Sequence, residues 1–479
     1  MSELAPPAPS TSDGAPEAPP SSGLRGTIGV VGIVFLVVAA AAPLTAIGGA
    51  LPVMLAIGNG AGSPTAYLVV AVVLLVFSVG YAAMSRHVVD AGAFYAYVTR
   101  GLGVPVGLGA GGLALLTYTA VLAAVYGLAG ATAQGLVLQL GGPELPWWVW
   151  SFVLMAAVGT LGYRNVDVGA KVLGVVLTLE IGVIAVVAVA VIAQGGADGL
   201  DLVPFTPTAF FSGAPGISVM FAVASFIGFE ATAIYAEEAR EPRRTVPIAT
   251  YTAVLLIGGF YAIASWAFVQ AFGSGDVVAA ALADPDLIFT ATAAYVHPVL
   301  ADVMIVLLLS SLFAALLAFH NAISRYLFSL SRRGVMPAAL HRTHPRHGSP
   351  YVGSLAQTGS AVVVVGAFAV AGADPVLQLF TWMSGLATVS VLLLMALTSV
   401  SVIAFFARRD VDRRVWHTRV APALGTVGLL GLLGLVLANF TTLIDGSGAL
   451  AAVLLLVIAV AFAGGVVAAY VRRARDGVR

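Results

Sequence analysis

The chain has 479 residues, 60% hydrophobic and only 9% charged, with a mean hydropathy of +1.01. A soluble domain carries about 25% charged residues, so this composition excludes a water-facing globule. Basic and acidic residues balance at 22 each, which gives no positive excess for a nucleic-acid partner, and the lack of cysteine excludes a disulfide framework or a thiolate metal centre.

Residues 1–26, "MSELAPPAPSTSDGAPEAPPSSGLRG", are rich in proline and hold no apolar run, which predicts a disordered tail. A basic segment leading into an apolar core is missing, so no secretory leader is expected and the first span is the insertion signal. Beyond the tail, apolar runs long enough to cross a ~30 Å hydrocarbon layer as helices recur throughout. They fall at 28–57, 64–84, 105–139, 147–163, 170–193, 213–235, 246–272, 298–330, 351–371, 376–407, 421–443 and 449–472. A helix satisfies its own backbone polar groups, as lipid requires. The expected fold is therefore an all-α polytopic membrane protein of about twelve transmembrane helices.

Charge tests that count. With twelve spans, all 22 basic residues fall on one side, from Arg25 through Arg86, Arg164, Arg243, Arg332 and Arg413 to Arg479. The opposite loops carry acids: Glu144, Asp198, Asp201, Asp276, Asp284, Asp286, Asp374 and Asp445. The excess of basic residues on inner loops then predicts a plasma-membrane protein with both termini in the cytoplasm.

In chain order, the first span reads "VVAAAAPLTAIGGALP" about its middle. Pro43 removes a backbone hydrogen bond and clashes with the preceding turn, which marks Ala42, Pro43, Leu44, Thr45 and Gly48 as an interrupted segment. The third span opens on "GLGAGG", a dinucleotide-fingerprint spacing without the strand that fingerprint needs; helix packing is expected instead. It also holds Tyr118. The fifth span carries Glu180, and the sixth carries "SFIGFE", Ser225, Phe226, Ile227, Gly228, Phe229 and Glu230, where glycine permits a second break. An acid at the bilayer centre costs about 2.5–3.5 kcal/mol and faces a polar interior. No base stands at equivalent depth in either helix, so protonation is the natural way to neutralise Glu180 and Glu230. Glu180 is the expected coupling carboxylate. Glu230, just past the break, is placed to accept freed N–H groups or to meet a cation.

In the eighth span Asp302 is expected at the interface, and Ser310 and Ser311 offer hydroxyls for sodium, although membrane serines more commonly bond to their own backbone. The loop "HRTHPRHGSP" spaces His341, His344 and His347 evenly, but its prolines and arginines argue against a metal site. Trp382 in the tenth span joins Tyr118, Phe226 and Phe229 as aromatics expected near a cavity. Gly425, Gly428, Gly431 and Gly434 in the eleventh span predict close helix contact.

Interrupted segments at matching positions of two helical halves point to a midplane binding site. Half-helix ends would offer positive dipole to an anionic group and loose carbonyls to a cationic one, which suits a zwitterion or an organic cation. "GYAAMSRHVVDAGAFYAYVTRGLG" (80–103), "SFIGFEATAIYAEEAREPRRTVPIA" and "NAISRYLFSLSRRGVMPAALHRTHPRHGSP" (321–350) resemble signature stretches of the amino acid–polyamine–organocation superfamily. That resemblance implies the leucine-transporter fold: inverted five-helix repeats at 27–193 and 213–407, two further helices at 421–472, and a short tail at 473–479. It also implies secondary transport of amino acids or amines around helices one and six. Where several proton-coupled relatives carry a lysine in helix five, this chain places Glu180, with Lys171 nearer the cytoplasmic end. "AAAPLTAIGG" stands where the family commonly has Gly-Ser-Gly-Ile.

The leading expectation is a proton-coupled amino acid importer without a cofactor. Its rival is an amine or polyamine carrier, for which Glu230 would supply the extra carboxylate. An embedded enzyme has only His320 as a candidate. A transport-deficient nutrient sensor would be expected to carry a larger appended domain.

Overall fold

The structure is a computed structural model that describes residues 28–88, 93–164, 170–234, 239–332, 334–409, 411–444 and 446–476; the expected N-terminal tail and residues 477–479 lie outside them. Among the described residues there is no strand beyond an isolated bridge between Ile28 and Ala239.

The first half comprises α1 (Val30–Ala40), α2 (Leu51–Ile57), α3 (Ser63–Ser85), α4 (Ala93–Leu102), α5 (Val104–Gln139), α6 (Trp147–Tyr163) and α7 (Ala170–Gln194). Next come α8 (Pro207–Phe210), α9 (Pro215–Ala224), α10 (Ala231–Ile234), α11 (Pro242–Phe272), α12 (Val277–Ala283), α13 (Leu287–Tyr295) and α14 (Pro298–Arg332). The chain closes with α15 (Tyr351–Val370), α16 (Thr381–Arg408), α17 (Ala421–Ala438), α18 (Phe440–Leu443) and α19 (Gly448–Asp476). Proline sits in the first turn of α3, α5, α9, α11 and α17, where its missing N–H costs nothing and its fixed φ suits the helix.

Among the described residues, ten helical stretches are long and apolar enough to cross a membrane, and eleven if the bent pair α12–α13 counts as one. Helices stand at all twelve expected positions. Two are short: α6 has 17 residues, and α9 has 10 because the sixth span stops at Ala224. Two further elements lay inside expected loops. The helix α4 inserts Phe94, Tyr97 and Val98 into the core, and α12–α13 folds back on itself at 112° with the Phe289 ring over Gly48.

The centre is built from α3, α5, α9, α11 and α16, whereas α15 and α19 expose most of their length and so face lipid. Close approach is bought with glycine: Gly109 and Gly112 of the "GLGAGG" run lie against Phe462 and Ala461 of α19. In α17, Gly425 and Gly428 meet Phe77 and Val73 of α3, while Gly431 and Gly434 meet nothing within 4 Å. At the arginine-bearing end, Arg408 Nη1 donates to the Gly101 carbonyl at 2.9 Å, tying α16 to α4. In the following loop Arg414 forms a 2.6 Å ion pair with Asp412 and holds its carboxyl down to about 2.

Candidate substrate-binding site

The first span is interrupted where the proline predicted. Its α1 ends at Ala40, and Ala42 takes φ +46, the one positive φ at a non-glycine residue among those described. A residue before proline is pushed out of the helical region, and alanine in this left-handed region costs about 1–2 kcal/mol. Leu44 N–H cannot reach back to Ala40 and lies 3.4 Å from Glu180 Oε2 of α7. The chain then runs through a widened turn, Thr45–Ala50, before α2 begins. Such π-helical turns concentrate at functional sites.

The sixth span opens between α9 and α10 over Ser225–Glu230. Gly228 takes φ +111, and a Cβ there would press on Ala40 across the gap at 3.0 Å. Glu230 closes the turn on itself. Its Oε2 accepts the Gly228 N–H at 2.9 Å, and its Oε1 accepts the Tyr118 hydroxyl from α5, also at 2.9 Å.

Lipid cannot satisfy the carbonyls such breaks release, and buried tyrosines from neighbouring helices do. Tyr261 of α11 donates to the Ala41 carbonyl at 3.0 Å, and Tyr81 of α3 to the Glu230 carbonyl at 3.0 Å. The Tyr67 hydroxyl lies 3.5 Å from the Ala46 carbonyl with Ser225 beside it, so it touches both breaks. Sequence reading missed all three. The available signal was a tyrosine amid apolar residues, whose hydroxyl must find a partner once buried.

Between the breaks is a cavity of about 70 Å³. One water needs roughly 10–15 Å³ measured this way, so the space suits a molecule of only a few heavy atoms. Ala40, Ala41, Ala42, Thr45, Ala46 and Ala50 line it from the first span; Phe221, Ala224, Ser225 and Ile227 from the sixth; Ala124 and Val125 from α5; Ala315 and Phe319 from α14. Phe380 and Ser384 close the remaining side. Thr45 Oγ1 is buried there without a hydrogen-bond partner. Ser225 Oγ donates to the Phe221 carbonyl at 2.8 Å.

Of the residues singled out from sequence, Ala42, Thr45, Ser225 and Ile227 line the cavity. Pro43, Leu44, Gly48, Gly228 and Glu230 shape it from behind. Three aromatics are turned elsewhere. Phe226 packs on Tyr261 with ring centres 6.4 Å apart, and Phe229 joins Phe77, Tyr81 and Phe94 beneath the second break. Trp382 stacks edge-on against Phe368 at 5.8 Å, its Nε1 buried and unpaired. The rings that do line the space are Phe221, Phe319 and Phe380. Phe221 stands four residues before Ser225 and hence on the same helical face.

Ser311 of α14 is the second partner of the Glu180 carboxyl, which thus joins α7 to the first break and to α14. Ser310 instead donates to Leu307 of its own helix, and Asp302 accepts Gln139 at an exposed helix end. His320 pairs with Ser354 at 2.7 Å inside the α14–α15 contact. In the loop past α14, His344 and His347 stack at 4.7 Å, and His341 lies 3.0 Å from Ser331. Among the described residues no group of three or more acids and histidines is arranged to hold a metal.

The molecule is thus a polytopic helical membrane protein with two interrupted spans beside one small, partly open cavity. The sequence matches the amino acid permease family over residues 32–478, and the chain belongs to that family. It is 25% identical over 319 residues to the low-affinity putrescine importer PlaP of Escherichia coli, covering 64% of this chain and 66% of that protein. It is 28% identical to the histidine permease HisP of Lactococcus lactis over 47% of this chain and 50% of that one. A gamma-aminobutyric acid permease of Escherichia coli is 26% identical over 63% of this chain and 64% of its own length. The chain thus spans two thirds or less of each of these relatives.

Proposed function

We propose that the protein imports a small neutral amino acid across the plasma membrane, coupled to protons, by alternating access around the two breaks. In this reading the five-helix halves at 27–193 and 213–407 each contribute one interrupted span, and both termini are cytoplasmic. The observation that carries it is that both breaks open on one cavity. The C-terminal ends of α1 and α9 bring negative partial charge to a substrate ammonium, and the dipole of the helical segment that Thr45 begins favours a carboxylate near its start. The unpaired Thr45 hydroxyl is a ready donor to that carboxylate.

Glu180 provides the link to protons. Its carboxylate receives the Leu44 N–H, so the charged form holds the first break in the geometry seen here. A proton on Glu180 weakens that acceptor and frees the segment that touches substrate. By thermodynamic reciprocity, substrate binding then changes proton affinity by the same factor. The sodium alternative is less well supported, because Ser310 is engaged with its own helix.

The amine reading draws on the resemblance to a putrescine importer. A diamine needs carboxylates at its ends, and among the lining residues there is none; Glu230 is turned toward Gly228 and Tyr118. Competition in proteoliposomes separates the two. Alanine and serine should compete for uptake and putrescine should not; the reverse ranking would replace this reading with the amine one. An E180Q variant should bind and exchange substrate yet lose accumulation driven by a pH gradient.

A further inference from the structure

We propose that Tyr261 is a positioning residue for substrate, selecting which carbonyl of the first break receives the substrate's ammonium. This rests on the cavity being the substrate site. The break leaves two neighbouring carbonyls, Ala40 and Ala41, without their helical N–H partners, and both belong to residues that line the cavity. The Ala40 carbonyl has lost its helical partner because Leu44 N–H is turned to Glu180. The Ala41 carbonyl is taken by the Tyr261 hydroxyl at 3.0 Å. One acceptor is thus withdrawn and the other left open.

Tyr261 is built to hold that position. It is fully buried, its ring lies 5.3 Å from Tyr67 and 6.4 Å from Phe226, and its hydroxyl cannot swing without displacing both. The other side of the same peptide plane is fixed as well, since Ala42 N–H donates to the Ala39 carbonyl at 3.2 Å. The ammonium of a zwitterion therefore meets one available acceptor rather than two, with the neighbouring plane held still, which is preorganisation of a binding group.

The test measures binding of alanine and of propionate, which lacks the ammonium, to purified protein. Tyr261→Phe keeps the ring and removes only the hydroxyl. Alanine affinity should fall about tenfold (~1.4 kcal/mol) and the preference for alanine over propionate should narrow. Tyr295→Phe is the control: Tyr295 also donates to a helix carbonyl, Ala271 at 3.0 Å, but lies outside the cavity, and its loss should leave both values unchanged. Wild-type preference in Tyr261→Phe, or an equal change in Tyr295→Phe, overturns the assignment. If Tyr261→Phe does not fold, Tyr261→Met, which removes the hydroxyl with a flexible apolar side chain, is measured in the same way, and wild-type preference there overturns it too. Thr45→Val reports on the site itself: no loss of binding in that variant rejects the cavity reading, whereas a loss there with normal Tyr261→Phe rejects only the role of Tyr261.

Discussion

The two interruptions look alike in outline and are made by different chemistry. The second caps its own freed N–H: Gly228 supplies the backbone freedom, and Glu230, two residues on, accepts the Gly228 N–H, while Tyr81 and Tyr118 reach Glu230 from α3 and α5. The first is held from outside. Its proline and left-handed alanine open the helix, and the freed groups go to Tyr261 on α11 and Glu180 on α7. Where the freed N–H is capped by a carboxylate of the same turn, the cap moves with the break; where it goes to a carboxylate on another helix, as at Leu44, the break can respond to what that helix does. In the proposed coupling, the first break is therefore where a proton on Glu180 acts.

The largest expected effect falls on the second break. Gly228→Ala puts a side chain at φ +111 and against Ala40, a strain of order 1–3 kcal/mol before the contact is counted. Little folded, transport-competent protein should be recovered by size-exclusion chromatography; near-normal transport would show that the second break is not rigid. Glu180→Gln comes next. It should leave the melting temperature within a few degrees and exchange intact while removing the pH dependence of uptake, and retained pH dependence would break the contrast between the breaks.

A smaller effect is expected at Ala42. Glycine adopts φ +46 freely, so Ala42→Gly should stabilise the fold by about 1 kcal/mol, seen as a modest rise in melting temperature while the segment itself is less well held. Asp412→Asn should change least. The Arg414 ion pair depresses the Asp412 carboxyl to about 2 from 3.8, so its contribution is complete above about pH 4 and lost as pH falls through about 2. A half-exposed pair of this kind is worth about 0–1 kcal/mol. Thermal melts at pH 7 should barely separate the variant from wild type.

Much of the architecture was readable in the sequence because lipid imposes a simple length rule, and both breaks were readable because Pro43 and Gly228 are local signals. What failed was direction. Phe226 and Phe229 lie in the opened turn, where helical periodicity no longer applies, and Trp382 sits in a helix apolar all round, which carries no pattern to say which face meets a cavity; each turned to pack elsewhere. The tyrosines that meet the freed carbonyls come from α3 and α11, other helices than the broken ones, so only the assembled fold brings their hydroxyls there. The bent pair α12–α13 was hidden by Asp284 and Asp286, which read as a plain acidic loop.

The chain has no cysteine, so a single introduced thiol reports on its own surroundings. Ala315→Cys places that thiol in the cavity lining, and its rate of modification by a small thiol reagent can be followed with and without alanine. The account predicts that alanine slows the reaction several-fold in a variant that still transports. An unchanged rate in a transporting variant would mean that substrate does not occupy the space between the breaks.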